Sequence, residues 1–197
     1  MEKKEFKVMF IGDTGIGAKT SLIYYIINKS SYEFPYSTSC FIYYQKSINT
    51  SLGEVILGLW DAPGQLKYYS LTEILFKGTD CFIIGFDLTR RCTFNKVDYF
   101  YKLIKEHMGD IPLLYLVGNK SDLFENINIP EEEAEKYANE RNIKYFEVSV
   151  KSGVNVNELI NDVANSLIQK YIKENKQDIP KNIDKNKTKV KKKCLIF

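Results

Sequence analysis

The segment Gly12-Asp13-Thr14-Gly15-Ile16-Gly17-Ala18-Lys19-Thr20 constrains this chain more than any other stretch. An apolar run, Phe6 to Ile11, leads into it, and a helical pattern from about Ser21 leads out. Strand, glycine-rich turn and helix is the local context of a loop that cradles phosphate groups. Glycines let the backbone bend so that consecutive N–H groups point into one concavity. The helix N-terminus behind them adds about half a positive charge. Lys19 supplies a full charge for the outer phosphates, and the Thr20 hydroxyl suits a magnesium ion. Two frames are open. The usual spacing of glycine, four residues and Gly-Lys-Ser/Thr puts Ala18 in the lysine position and Lys19 in the hydroxyl position. If Ala18 is instead one inserted residue, Lys19 and Thr20 take those positions. The insertion is preferred, because Val8 to Gly17 and Lys19 to Leu22 each read well in frames one residue apart. Taken alone, the loop also fits a turn that binds nothing.

The rest of the chain alternates strand and helix signals. Phe41–Ile48 and Glu54–Trp60 flank a hairpin signal, Asn49 to Gly53. Cys81 to Phe86 and Pro112 to Val117 are continuous apolar runs, as in strands buried on both faces. The spacing predicts helices over Thr20–Asn28, about Thr93–Met108, and from Pro130 with Glu131, Glu132 and Glu133 in the first turn. Tyr145–Val148 reads as a short strand, and Asn155 with Glu158 as a capping-box start to a last helix. Such alternation predicts a mostly parallel α/β sheet covered by helices on both faces, with ligands at the C-terminal strand edge.

At 197 residues the chain has room for one core and a tail. Its net charge of +3 is uneven. Residues 181–193 hold seven Lys and one Asp, so the remainder carries −3. A mildly acidic body argues against a nucleic-acid-binding face and for a basic arm. The expected division is a domain over 1–173 and a disordered polybasic tail over 174–197. No apolar stretch reaches the ~20 residues of a membrane span, and the N-terminus has no secretory pattern. Cys40, Cys81, Cys92 and Cys194 read as free thiols. The single His107 reads as structural or exposed.

Two further clusters follow strands. In Asp61-Ala62-Pro63-Gly64-Gln65, a carboxylate can hold a Mg²⁺ shell, the Gly64 N–H can touch a γ-phosphate, and Gln65 can orient a water. A plain Pro-Gly turn fits it equally well. In Gly118-Asn119-Lys120-Ser121-Asp122, a carboxylate can accept two N–H donors from a guanine edge, which adenine does not offer, and the Lys stem can cover a base face. A charged loop is the plainer reading.

Together these motifs resemble the Ras superfamily of small GTPases, and most closely Rab. The resemblance covers about residues 5–172 and the C-terminus. It rests on Gly12–Thr20, Thr38, Asp61–Gln65, Asn119–Asp122 and Ser149-Val150-Lys151, in order. It implies a small G-domain of the P-loop NTPase class, with a six-stranded sheet, one antiparallel edge strand, GTP/GDP and Mg²⁺. By the resemblance, Asp13, Thr14, Gly15, Ile16, Gly17, Ala18, Lys19, Thr20 and Ser21 would cradle the phosphates. Thr20 and Thr38 would ligate Mg²⁺ with Asp61 in its outer shell. Gln65 would position the attacking water. Asn119, Lys120 and Asp122 would read guanine, Ser149 to Lys151 would close over it, and Tyr32 would stand in for the ring expected at Ser31. Ser30–Ser39 and Asp61 to about Leu75 would be the two switches, and Tyr43, Trp60 and Leu75 an aromatic effector surface. The chain departs from the pattern at Ala18, Ala62-Pro63, Leu66, Cys40 and Val150.

The end, Cys194-Leu195-Ile196-Phe197, is a C-a-a-X prenylation pattern whose terminal Phe favours geranylgeranyl, behind Lys191-Lys192-Lys193. The implied partners are an exchange factor, a GTPase-activating protein, effectors, a prenyltransferase and a lipid-extracting chaperone. A monomer on the cytosolic face of a membrane follows. No arginine is placed in cis for the transition state, so the activator would supply it. Two other readings fit the chain: a nucleotide-free or non-cycling pseudo-GTPase, and a Ras- or Rho-like signalling GTPase.

Overall fold

A computed structural model of the chain describes residues 4–31, 41–64, 74–109 and 112–177. Their strands are β1 (Lys4–Gly12), β2 (Ile42–Thr50), β3 (Gly53–Asp61), β4 (Cys81–Asp87), β5 (Leu113–Asn119) and β6 (Lys144–Val148). They form one sheet in the order β2-β3-β1-β4-β5-β6. Only the β2–β3 pair is antiparallel. The helices are α1 (Thr20–Asn28), α2 (Arg91–Asn95), α3 (Val97–His107), α4 (Glu131–Glu140) and α5 (Val156–Gln177).

Strand alternation divides the core into two layers. Phe6, Val8 and Phe10 of β1 face one layer with Leu22, Ile23 and Ile26 of α1 and Leu159, Val163 and Leu167 of α5. Met9 and Ile11 face the other, with Val97, Phe100 and Ile104 of α3 and Ala134 and Ala138 of α4. The strand β4 is buried along its whole length, which its unbroken apolar sequence requires. Each large side chain so buried stabilises the fold by about 1.5–3 kcal/mol.

Several local readings need correction. The single helix expected over Thr93–Met108 is two. The Thr93 hydroxyl ties α2 to β4, accepting the Asp87 N–H at 3.0 Å and donating to Arg90 O at 2.7 Å. The helical ladder therefore restarts at Lys96, whose carbonyl accepts from Phe100 N–H. The buried stripe of α3 includes Leu103, while Tyr101 and Met108 pack only from its margin. The hairpin strands run to Thr50 and from Gly53, leaving a two-residue turn that the Thr50 hydroxyl closes by donating to Gly53 O at 2.7 Å. Asn155 adopts a left-handed φ of 58° and donates its side-chain amide to Glu147 O at 2.8 Å. It thus ties the start of α5 to β6 in place of the expected capping box. The last helix runs to Gln177, so residues 174–177, expected at the start of a disordered tail, continue the helix. His107 is structural: its ring meets Phe76 edge-on and its Nδ1 lies 2.9 Å from Leu103 O.

This topology brings the C-terminal ends of β1, β3, β4 and β5 to one edge. The register pairs Phe10 with Asp61, Gly12 with Gly85, and Asp87 with Asn119.

Candidate functional site

The glycine-rich loop leaves β1 at Gly12 and enters α1 at Thr20. Lys19 is buried, and its ammonium turns back to donate to the carbonyl of Asp13. The Thr20 hydroxyl donates to Asp61 Oδ2 at 2.6 Å. Ile16 O accepts from Asn119 Nδ2 at 3.0 Å. Both halves of the loop are therefore held by partners on the strand edge, and the extra residue is absorbed between Gly17 and Lys19. The cost falls on the backbone there. Lys19, at the helix N-cap, sits at φ −120°, ψ −96°, outside the helical and extended wells. Gly17 has φ 68°, and a Cβ on it would lie 2.6 Å from Asn119 Nδ2. Only glycine meets both demands.

Burial is the largest influence on Lys19 and lowers its pKa from 10.5 to about 8. Asp61 and Asp13 oppose that shift, and the nearby Arg90 adds to it. Gly64 lies against the same group: a Cβ there would be 2.8 Å from Lys19 Nζ and 2.9 Å from Asp13 O. Asp61 is fully buried beside Thr20. A hydroxyl and a carboxylate oxygen in contact are hard oxygen donors, the chemistry a magnesium ion selects. Among the described residues no group of three His, Cys, Asp or Glu side chains gathers as a metal site.

Beside the loop opens a cavity of about 480 Å³, lined by Gly17, Ser21, Ser31, Asn119, Lys120, Asp122, Leu123, Val150 and Lys151. It is of the size that takes a small organic ligand. Asp122 projects its carboxylate there and accepts from Ser149 Oγ at 2.6 Å. Asn119 is a strut. Its amide joins Ile16 O to the Val150 N–H, the latter at 3.1 Å, and so fixes the phosphate loop against the Ser149-Val150-Lys151 turn. Lys120 takes a left-handed φ of 73° and places its ammonium 2.7 Å from Asp87 Oδ2.

Sequence reasoning missed Asp87, Arg90 and Lys96. Asp87 is fully buried at the end of β4. Its Oδ2 pairs with Lys120 Nζ and with Arg90 Nε at 3.0 Å, and its Oδ1 accepts from the Thr89 N–H and hydroxyl. Burial alone would raise its pKa; the Lys120 and Thr89 hydrogen bonds outweigh that and hold it below the ordinary carboxylate value. Arg90 also donates to Thr14 O at 3.0 Å, and Lys96 to Asp13 Oδ2 at 2.8 Å. An arginine therefore does stand at the rim of the phosphate loop, with two of its donors committed to Thr14 and Asp87. The signal was present: the edge rule that located Asp61 and Asn119 applies equally to the polar run after β4.

Tyr43 is exposed, with its ring 5.3 Å from that of half-buried Trp60. Lys7 joins Trp60 to Leu75, lying 5.0 Å from the indole and donating to Leu75 O. Tyr32, Thr38, Gln65 and Cys194 lie outside the described residues, as do Cys40 and Leu66. Cys81 is a buried free thiol and Cys92 an exposed one.

A mostly parallel α/β sheet, a glycine-rich loop leaving its central strand, and two further polar loops on the same edge define a P-loop nucleotide-binding domain. The chain belongs to the Ras family, whose model matches residues 7–169. It is similar to Ras-related protein SEC4 of Saccharomyces cerevisiae, at 32% identity over 170 residues, 86% of this chain and 78% of that protein. It is also similar to Ras-related protein Rab5A of Oryza sativa subsp. japonica (29%, 83% of this chain, 80% of that protein) and Ras-related protein Rab-17 of Homo sapiens (28%, 86% and 79%). The chain is a Rab-like GTP-binding switch of vesicle traffic and a small GTPase.

Proposed function

We propose that the chain cycles between GTP and GDP at the edge formed by β1, β3, β4 and β5, with Mg²⁺ bound beside Thr20. The observation that carries this is the convergence of Lys19, Thr20 and Asp61 on one side of Gly17 and of Asp122 and Ser149 on the other. Lys19 neutralises the outer phosphates, and backbone N–H groups of Asp13 to Ser21 cradle them. Thr20 and Thr38 bind the metal, with Asp61 behind. Asn119, Lys120 and Asp122 read guanine, the turn Ser149 to Lys151 closes over it, and Tyr32 stands in for the ring expected at Ser31. Gln65 orients the attacking water, while Gly64 senses the γ-phosphate. Tyr43, Trp60 and Leu75 present the effector surface. An exchange factor and a GTPase-activating protein set the cycle.

Residues 1–173 form the GTPase domain, and 174–197 form a Lys-rich tail prenylated at Cys194. One prenyl chain holds a membrane only marginally, so the lysines are the second signal. A prenyltransferase and a lipid-extracting chaperone therefore serve it, and a monomer resides reversibly on a cytosolic membrane face. No described helix is long and apolar enough to cross a membrane.

The test is binding of fluorescent GDP and GTP to the full chain, with and without Mg²⁺, against ATP. Tight, Mg²⁺-dependent, guanine-selective binding is expected. A folded protein that binds none of them is a nucleotide-free interaction module. For the tail, Cys194→Ser is expected to leave the protein soluble after cell fractionation. Undiminished recovery in the membrane pellet removes the lipid from the account.

A further inference from the structure

Beneath the phosphate loop two paired sheet positions carry no side chain. Gly12 and Gly85 are register partners on β1 and β4, and they approach so closely that a Cβ on Gly12 would lie 2.5 Å from Gly85 O. The loop folds back onto this bare floor. A Cβ built on Gly85 would lie 2.6 Å from Ala18 Cβ, 3.1 Å from Ile16 Cδ1 and 3.3 Å from Ala18 O. Ala18 is fully buried, and so is Ile16. Everything else along β4 is larger: Phe82, Ile83, Ile84 and Phe86 are all buried at 0% exposure.

We infer that Gly85 is a positioning residue for nucleotide binding: by having no side chain it gives Ala18 a seat, and that seat sets where Lys19 enters the site. The inference rests on the guanine-nucleotide reading above. The extra residue has to go somewhere. Its neighbours are fixed, since Ile16 is tied to Asn119 and Thr20 to Asp61. Outward bulging would draw Lys19 away from the Asp13 carbonyl that its ammonium now reaches. Inward seating needs a hole one methyl group wide in the sheet, and Gly85 is that hole. Real Cβ atoms do not approach within 2.6 Å, so a methyl group at position 85 forces the loop to lift at Ala18. Backbone at a strand end and a helix start gives way only by small shifts. Displacement of the Lys19 ammonium by a fraction of an ångström weakens every hydrogen bond it makes to an anion.

The pair can be tested by a double-mutant cycle on the full chain, reading the GDP dissociation rate and the thermal midpoint with and without GDP. Gly85→Ala is expected to speed GDP release at least about tenfold. Ala18→Gly removes the colliding methyl group and serves as the reference for the double variant, whatever its own release rate. Ala18→Gly combined with Gly85→Ala is expected to return to within about threefold of Ala18→Gly alone, because the contacts that remain are the 3.1 Å approach to Ile16 Cδ1, the far end of a flexible side chain, and the 3.3 Å approach to the residue-18 carbonyl. A simply structural role for Gly85 would give the same defect with either residue at 18. Thus an unchanged release rate in Gly85→Ala, or an equal defect in Gly85→Ala and the double variant, overturns the proposal. If Gly85→Ala does not fold, a folded double variant supports the seat and an unfolded one overturns it. Should the wild-type chain fold but bind no GDP, the nucleotide reading fails separately. The seat is then decided by whether the lowered midpoint of Gly85→Ala recovers in the double variant.

Discussion

Replacing Lys19 by Met lowers GDP affinity on the order of 100-fold or more, measured by competition with a fluorescent analogue. Truncating one member of a buried, hydrogen-bonded charge pair costs about 2–5 kcal/mol, and about 2.7 kcal/mol is a factor of 100. The free protein pays little for the change. Lys19 is a buried cation whose ammonium has only the Asp13 carbonyl as a hydrogen-bond acceptor within the loop, and a Met side chain fills the same volume without desolvating a charge. The thermal midpoint without nucleotide is therefore expected to stay within a few degrees of wild type. A fall in that midpoint as large as the fall in affinity would mean that Lys19 holds the loop together and that its loss of binding is secondary.

The same residue gives binding a pH signature. Its pKa of about 8 lies below the ordinary 10.5, with burial as the main cause. Between those values the folded chain holds fewer protons than the unfolded chain, so this group's contribution to stability rises with pH across that window. Binding runs the other way. Phosphates favour the ammonium form, so GDP binding takes up a proton once the free amine begins to deprotonate. Calorimetry in buffers of different ionisation heat is expected to show about half a proton taken up at pH 8 and almost none near pH 6.5. Affinity then weakens by up to about tenfold per unit above pH 8. The Met variant should lose this uptake.

The parts legible in the sequence were those whose chemistry is local. Cys81 to Phe86 and Pro112 to Val117 announced buried strands because burial on both faces leaves no polar positions, and Phe6 to Ile11 did so with Lys7 alone interrupting the run. Asp61 and Asn119 were found because each lies just past a strand signal, Glu54–Trp60 and Pro112–Val117. Lys19 and Thr20 stood out because they keep their order despite Ala18, and the fold sets them against Asp13 and Asp61. What was not legible depends on contacts between distant segments. Asn119 reads as a base reader in sequence, but nothing there shows that its amide also bridges Ile16 and Val150, 103 and 31 residues away. The break between α2 and α3 comes from Thr93 reaching back to β4, which no helical periodicity records. Gly85 sits in a strand and looks like a weak spot; its purpose appears only when Ala18 is seen above it.

Asp87→Ala is expected to be the most damaging change outside the loop itself. Asp87 accepts hydrogen bonds from four donors, and two of them belong to cations that anchor opposite halves of the site. Arg90 reaches the phosphate loop at Thr14, and Lys120 belongs to the base-binding turn. Removing the carboxylate leaves two positive charges facing each other beside a buried hole. Both cations keep partial contact with water, Arg90 at 41% and Lys120 at 34% side-chain exposure, so the loss is smaller than the about 3–5 kcal/mol of a charge left fully buried. At about 2–4 °C per kcal/mol in a domain of this size, a fall of several degrees in the thermal midpoint is the expected result. Asp87→Asn separates charge from shape. It keeps an acceptor for the Thr89 donors and the volume at the end of β4, but loses the charge that holds Arg90 and Lys120 together. Its midpoint should fall by less than that of the Ala variant while GDP release still accelerates, because both loops lose their common anchor. If Asn matches wild type in release, Asp87 is only filling space, and the two halves of the site are joined by Asn119 alone.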